Sequence, residues 1–194
     1  ELRDSIEYNF DFSNKPINRL EITNNISHDN ILNKKKRLLE LKKKIDSIEN
    51  CNLRSNSKKL IFGDGNINSA IMLIGEAPGF LEDNSGLTFQ GDVGILLNKM
   101  LLAINIKREK IYSTYSINYR TPEDRKPTSQ EINRYSIFLK EHISIIDPKM
   151  LILLGATSMQ SVTGLNSNIS SERGQWKEII LMNKTYPVII TFSP

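Results

Sequence analysis

Residues 70–94 read AIMLIGEAPGFLEDNSGLTFQGDVG. The apolar run Ala70–Ile74 has the length and composition of a buried strand. It stops at Gly75, and Glu76-Ala77-Pro78-Gly79 makes a tight loop. Gly75 and Gly79 admit close backbone approaches that a Cβ blocks, and Pro78 stiffens the turn. The acids Glu82 and Asp83 follow, then Phe89, then Gly91-Asp92-Val93-Gly94 at a helix start with Asp92 as N-cap. Acids, backbone N–H groups and one flat ring gathered at the C-terminal end of a strand are the parts of an active site in an open α/β sheet. A second reading stays open for Glu82-Asp83, as a cap of the loop.

Working outward, Leu60-Ile61-Phe62 reads as a short strand closed by Gly63-Asp64-Gly65-Asn66 turn chemistry. Downstream, a helix over about 92–104 repeats Leu97, Met100, Leu101 and Ile104 at core spacing. Lys110–Ile117 is a strand by its β-branched and aromatic content. A polar loop from Asn118 to Pro127 follows, and Thr128-Ser129-Gln130-Glu131 is a capping box opening a helix. Ile132, Tyr135, Leu139, Ile143 and Ile146 line that helix's buried face, and Asp147-Pro148 ends it. Met150–Leu154 is a further strand, Gly155–Val162 a short helix, and Gly164–Ser171 a loop. Arg173-Gly174-Gln175-Trp176 leads into a polar strand or turn, and Val188–Phe192 is the last strand. Strands alternating with helices imply parallel pairing through right-handed crossovers. The fold class is α/β, a three-layer α/β/α sandwich around a mainly parallel sheet.

The amino end is different in kind. Residues 1–30 mix Asn, Ser and scattered apolar residues, with a helix expected near 1–8 and the rest irregular. Residues 31–48 put Ile31, Leu38, Leu41, Ile45 and Ile48 near one helical face. Lys34, Lys35, Lys36, Arg37, Lys42, Lys43 and Lys44 fall opposite. That basic face is either the solvated side of a docked helix or a phosphate-tracking surface. Residues 1–50 are thus read as a polar, basic extension with a helix, and 51–194 as one domain, expected to be cut short at Pro194.

The 194 residues, 39% hydrophobic, suffice for one cored domain. No apolar stretch approaches roughly 18 residues, so no membrane span is expected, and no signal peptide pattern opens the chain. The single cysteine, Cys51, allows no internal disulfide and points to a reducing compartment, the cytoplasm. A formal net charge of +4 suits a polyanionic partner but does not demand one, since 22 acids offset 26 bases. His28 and His142 stand alone and read as surface residues, and no metal site is expected.

The stretch Gly75-Glu76-Ala77-Pro78-Gly79, Glu82-Asp83 and Thr88-Phe89-Gln90-Gly91 resembles the first motif of the family 4 uracil-DNA glycosylases. Tyr112-Ser113-Thr114 with Arg120-Thr121-Pro122-Glu123-Asp124-Arg125-Lys126-Pro127 is similar to a second segment. Asp147-Pro148-Lys149, the strand ending at Gly155, Arg173-Gly174 and Thr191-Phe192-Ser193-Pro194 follow in the family's order. The resemblance runs from about Cys51 to Pro194. It implies the same α/β/α fold and a DNA-repair hydrolase that flips uracil out of DNA and cuts its N-glycosidic bond. It implies that Phe89, exposed or half-exposed at the bottom of a cleft, stacks on the flipped base, with Gly75, Ala77 and Tyr115 lining the base site. Glu76 and Glu82 would shape the wall that holds the attacking water, and Ser193 would face the uracil oxygen. Arg120, Asp124, Arg125, Lys126 and Arg173 would meet the DNA. A monomer is expected.

Three positions depart from the pattern. Tyr115 stands where the family reads the uracil edge with Asn, Ser193 where it has His, and Asp124 where it has the Asn of an Asn-Arg pair. Weakened or shifted activity is therefore expected, since a phenol offers less than an amide's paired donor and acceptor. Many members also carry a four-cysteine iron–sulfur cluster, whose positions fall on Ile48, Cys51, Tyr119 and Tyr135. One thiolate cannot hold it, so no cofactor is expected. The competing readings are a DNA-binding module of the same fold without turnover and a nucleotide-binding α/β protein. The latter is disfavoured because no G-x-G-x-x-G or G-K-[ST] follows a strand.

Overall fold

The computed structural model describes residues 19–49 and 51–194. The helix expected near residues 1–8 and the side chain of His28 lie outside the described residues, whereas residues 19–30, expected to be irregular, are helical. Among the described residues six strands, β1 (Asp64–Gly65), β2 (Ile71–Gly75), β3 (Tyr112–Tyr115), β4 (Met150–Leu154), β5 (Trp176–Leu181) and β6 (Lys184–Thr191), form one sheet. Their order is β1-β3-β2-β4-β6-β5, with the four inner strands parallel and both edge strands antiparallel. β2 and β4 are continuous apolar runs because helices cover both of their faces.

Among the described residues, seven α-helices flank the sheet: α1 (Arg19–Asp46), α2 (Asn52–Asn56), α3 (Phe80–Ser85), α4 (Gly91–Ala103), α5 (Ser129–Ile146), α6 (Ala156–Thr163) and α7 (Ile169–Glu172). Alternation along the strands sends side chains to opposite layers. Met72, Ile74, Leu151, Leu153, Val188 and Ile190 meet Leu38, Leu41 and Ile45 of α1, Leu139 and Ile143 of α5, and Met159 of α6. Leu73 and Leu154 meet Leu97 and Leu101 of α4 on the other side. The result is the expected three-layer sandwich.

The capping box forms as read. Thr128 Oγ1 accepts the Glu131 N–H at 3.3 Å, and the Thr128 N–H donates to Glu131 Oε2 at 2.7 Å. α5 ends at Asp147, in the left-handed region at φ 51°, and Pro148 cannot extend it. α1 docks by its apolar stripe on the layer that holds α5. Lys34 leaves the basic face: half-buried, its Nζ donates to the carbonyls of Ile146 (2.9 Å) and Ile67 (3.2 Å). That caps the C-terminal end of α5 with a cation.

Several local expectations are corrected. Leu60–Phe62 is not a strand. Ile61 bonds to Asn118 through the Ile61 N–H (2.8 Å) and the Asn118 side-chain amide (3.0 Å), so a side chain takes the place of a ladder. α4 begins one residue earlier than Asp92, with extended Gln90 at the cap position. Met100 and Ile104, expected at core spacing, are 45% and 60% exposed, because Gly94, Leu97 and Leu101 carry the buried stripe. The 164–171 loop contains the short helix α7, and β5 and β6 form a hairpin turned at Met182-Asn183, both at positive φ. His142 is 1% exposed rather than on the surface. It stacks on Phe62 at 4.3 Å, its Nε2 lies 2.9 Å from the Tyr112 hydroxyl, and burial pushes its pKa down to about 3.

Candidate active site

The loop after β2 is built by the two strands beside it. The Ser116 N–H and hydroxyl both donate to the Gly75 carbonyl, at 2.9 and 3.0 Å, and the Ile117 N–H donates to the Glu76 carbonyl at 3.1 Å. On the other side, Glu76 Oε1 accepts the Thr157 N–H at 2.8 Å, in the first turn of α6. A helix N-terminus favours a negative group there. Gly155, at φ +98°, makes room: a Cβ on it would sit 2.3 Å from the Glu76 carboxylate carbon.

Glu82 and Asp83 are both buried and act as braces. Glu82 Oε2 accepts the Gly79 N–H (3.0 Å), while Oε1 accepts the Gln90 N–H (2.8 Å) and the Tyr115 hydroxyl (3.3 Å). One carboxylate thus ties the start of α3 to the start of α4 and the end of β3. Asp83 Oδ1 accepts from the Ser57 hydroxyl and the N–H groups of Lys58 and Lys59. These bonds answer to the loop-cap reading of the pair.

Phe89 differs from expectation. Its ring is 5% exposed, at φ +50°, and belongs to the α4-side core with Leu73, Leu97 and Tyr115. The Tyr115 ring lies 5.0 Å away, tilted 37°, and the Arg108 guanidinium 5.6 Å away. The Tyr115 hydroxyl accepts the Phe89 N–H at 2.9 Å. Burial, then the Glu82 charge, raises the Tyr115 pKa well above its ordinary value, so the phenol stays protonated. Gly75 lies against both rings: a Cβ there would meet the Tyr115 ring at 2.7 Å and the Phe89 ring at 2.9 Å.

Next to Phe89 is a polar cluster that the sequence did not flag. Asp64 Oδ2 accepts the Thr88 N–H (2.6 Å) and hydroxyl (2.9 Å). Arg108 Nη2 donates to Ser113 Oγ (2.7 Å), Thr88 Oγ1 (2.8 Å) and Asp64 Oδ1 (3.3 Å). Asp64 reads in sequence only as turn chemistry. Arg108 sits in the polar run Lys107-Arg108-Glu109-Lys110 and carries no distinguishing signal.

A cleft of about 170 Å³ opens where Glu76, Ala77, Pro78 and Gly79 face Thr121, Asp124, Arg125, Lys126, Pro127 and Thr157. It brings together Glu76, Ala77, Asp124, Arg125 and Lys126 from the expected site. Arg120 makes a two-pronged pair with Asp124 (2.7 Å each), and Arg125 does the same with Glu131 (2.9 and 2.7 Å). Lys126 is exposed. Phe80, exposed just past Gly79, has Lys58 and Arg120 over its ring at 5.7 and 5.2 Å. Gly75, Glu82, Phe89 and Tyr115 form the buried group, outside that cleft. Ser193 is exposed beyond β6 and does not line it. Arg173 is exposed, its guanidinium 4.5 Å over the Phe192 ring.

At the positions implied for an iron–sulfur cluster, the Cys51 thiol lies 3.1 Å from the Tyr135 hydroxyl, and Tyr119 donates to Asp46 Oδ1 at 2.9 Å. The two tyrosine rings meet edge-on at 6.4 Å, with Ile48 against the same core. One thiol among phenols and an alkyl group does not fit a cluster held by thiolates. Among the described residues, no group of three or more His, Cys, Asp or Glu could hold a metal ion, and no helix is long and apolar enough to cross a membrane.

The chain is 34% identical over 145 residues to the Type-4 uracil-DNA glycosylase of Thermotoga maritima, covering 74% of each chain. It is 31% identical to that of Archaeoglobus fulgidus, covering 80% of each. It is 33% identical to that of Sulfurisphaera tokodaii, covering 81% of this chain and 77% of the other. The family model described as Uracil DNA glycosylase superfamily matches residues 62–194, from the approach to β1 through the motif loop to the end of β6. The chain therefore belongs to the uracil DNA glycosylase superfamily.

Proposed function

We propose that the protein is a DNA-repair hydrolase that removes uracil, or a related deaminated base, from DNA by cutting its N-glycosidic bond. The observation that carries this reading is the cleft in which Glu76, fixed at the N-terminus of α6, faces Arg125 and Lys126. The C1′–N bond breaks with its electron pair going to the departing base, and water oxygen joins C1′. Glu76 lines the cleft, where it orients that water and opposes the positive charge that builds on the sugar. Both Glu82 oxygens are taken up by internal donors, so Glu82 holds the loop rather than the water. Arg120, Arg125, Lys126 and Arg173 meet phosphates, which fix register on DNA. The enzyme works as a monomer in the cytoplasm without a cluster or metal, a reading supported by its single cysteine and the phenols around it.

Activity is weak or shifted, because Tyr115 and Ser193 stand where the family pattern has Asn and His. Losing one preorganised donor costs about 10²–10³ in rate at comparable sites. The closed ring of Phe89 also favours a second reading, a DNA-binding module without turnover. Base release from uracil-containing DNA, measured beside binding to the same DNA, separates the two. Tyr115→Asn with Ser193→His should raise uracil release well above the parent. A parent that binds DNA, with neither protein releasing base, leaves the binding module as the function.

A further inference from the structure

We propose that Tyr115 is a built-in occupant of the base site: its ring takes the place beside Phe89 that a flipped pyrimidine would need, and so decides which bases are admitted. This rests on the reading of the fold as a base-flipping glycosylase.

Tyr115 ends β3 in register with Gly75. Its ring stands 5.0 Å from that of Phe89, a spacing at which aromatic rings attract. Its hydroxyl oxygen accepts the Phe89 N–H at 2.9 Å while its proton goes to Glu82 Oε1 at 3.3 Å. A pyrimidine edge carrying a carbonyl beside an N–H offers the same pairing, an acceptor for the backbone donor and a donor for the carboxylate. A planar six-membered ring bearing one oxygen thus presents these partners with what a base presents. Gly75 adds no slack, since even a methyl group on it would strike both rings. With Phe89 closed to 5% exposure, ring and base exclude each other. Swinging Tyr115 out would leave the buried Phe89 N–H unpaired, which opposes opening.

The test uses free ligands, so that no bond need be cut. Tyr115→Ala keeps Cβ, so the group removed corresponds to phenol, and a hole of ring size binds small aromatics. Titration calorimetry and melting curves are recorded with phenol and with uracil. Both should bind Tyr115→Ala and raise its Tm, and both should bind the parent far more weakly. Adding Phe89→Ala to that variant should weaken uracil binding roughly five- to hundredfold, the range that base stacking spans. Binding of phenol without uracil would overturn the proposal, since the hole would then fit a phenol but not a base. Binding of neither by a folded variant, or equal uracil binding by the parent, overturns it too. If Tyr115→Ala does not fold alone, Tyr115→Asn and recovery of the fold by each ligand are read the same way, and no recovery counts against the proposal. Uracil binding by the variant, with no base release from DNA by either protein, supports the role of Tyr115 while removing the glycosylase reading.

Discussion

Gly155 and Glu76 are locked together: at φ +98°, Gly155 presents the one face against which the Glu76 carboxylate can rest, with 2.3 Å left where a Cβ would stand. The carboxylate that lines the cleft is therefore placed by a residue 79 positions later, through the junction of β4 and α6. Gly155→Ala must strain the backbone and push the carboxylate off the Thr157 N–H. A stability loss of about 1–3 kcal/mol is expected from the backbone alone, with base release lost as well. Denaturant melts and a base-release assay check both. An active Gly155→Ala protein of parental stability would show that Glu76 need not be held there.

Glu82→Ala removes the acceptor of two backbone N–H groups and the Tyr115 hydroxyl. Each buried donor left unpaired costs about 1–3 kcal/mol, so the variant should be among the least stable single changes in the protein. Glu82→Gln keeps an acceptor and the shape, and should fall between the two. Urea unfolding midpoints order the three proteins.

His142 gives acid sensitivity with a definite sign. Its pKa is depressed from 6.5 in the unfolded chain to about 3 when folded. Between these values the unfolded state binds a proton that the folded state refuses, so stability falls as pH drops from about 6.5 towards 3. Tyr112 faces the ring through Nε2 and Phe62 through its plane, and neither supplies a countercharge. His142→Phe should flatten that part of the pH–stability curve. A parent curve level between pH 6 and 4 would place the imidazole in contact with water.

Arg125 and Lys126 line the cleft mouth with positive charge. Removing either should weaken DNA binding across all sequences and reduce the slope of log affinity against log salt by about one phosphate contact. Fluorescence anisotropy at several salt concentrations reads that slope. Affinity indifferent to salt would argue against phosphate contacts in this cleft.

Legibility followed the range of the interactions. β2, β4 and the capped start of α5 could be read because apolar runs and the Thr128–Glu131 box are local. Leu60–Phe62 misled because the partner that ends its pairing is the Asn118 side chain, far along the chain. The burial of His142 follows from its place on the same α5 face as Leu139 and Ile143, a neighbourhood the isolated residue conceals. The motif loop was legible as a loop, and Glu76 as part of its cleft. The closure of Phe89 was not, since what covers the ring comes from β3 and from Arg108, which gains its role only by meeting Asp64, Thr88 and Ser113.

The position of β6 bears on how the molecule is made. It is the last described strand, yet it lies inside the sheet between β4 and β5. A ribosome delivers β4 well before it delivers β6. During that interval Met150–Leu154, five apolar residues, forms a bare edge able to pair with any passing strand. Assembly of the sheet waits for residues near 190, and a chain shortened by that one strand should self-associate through the bared edge.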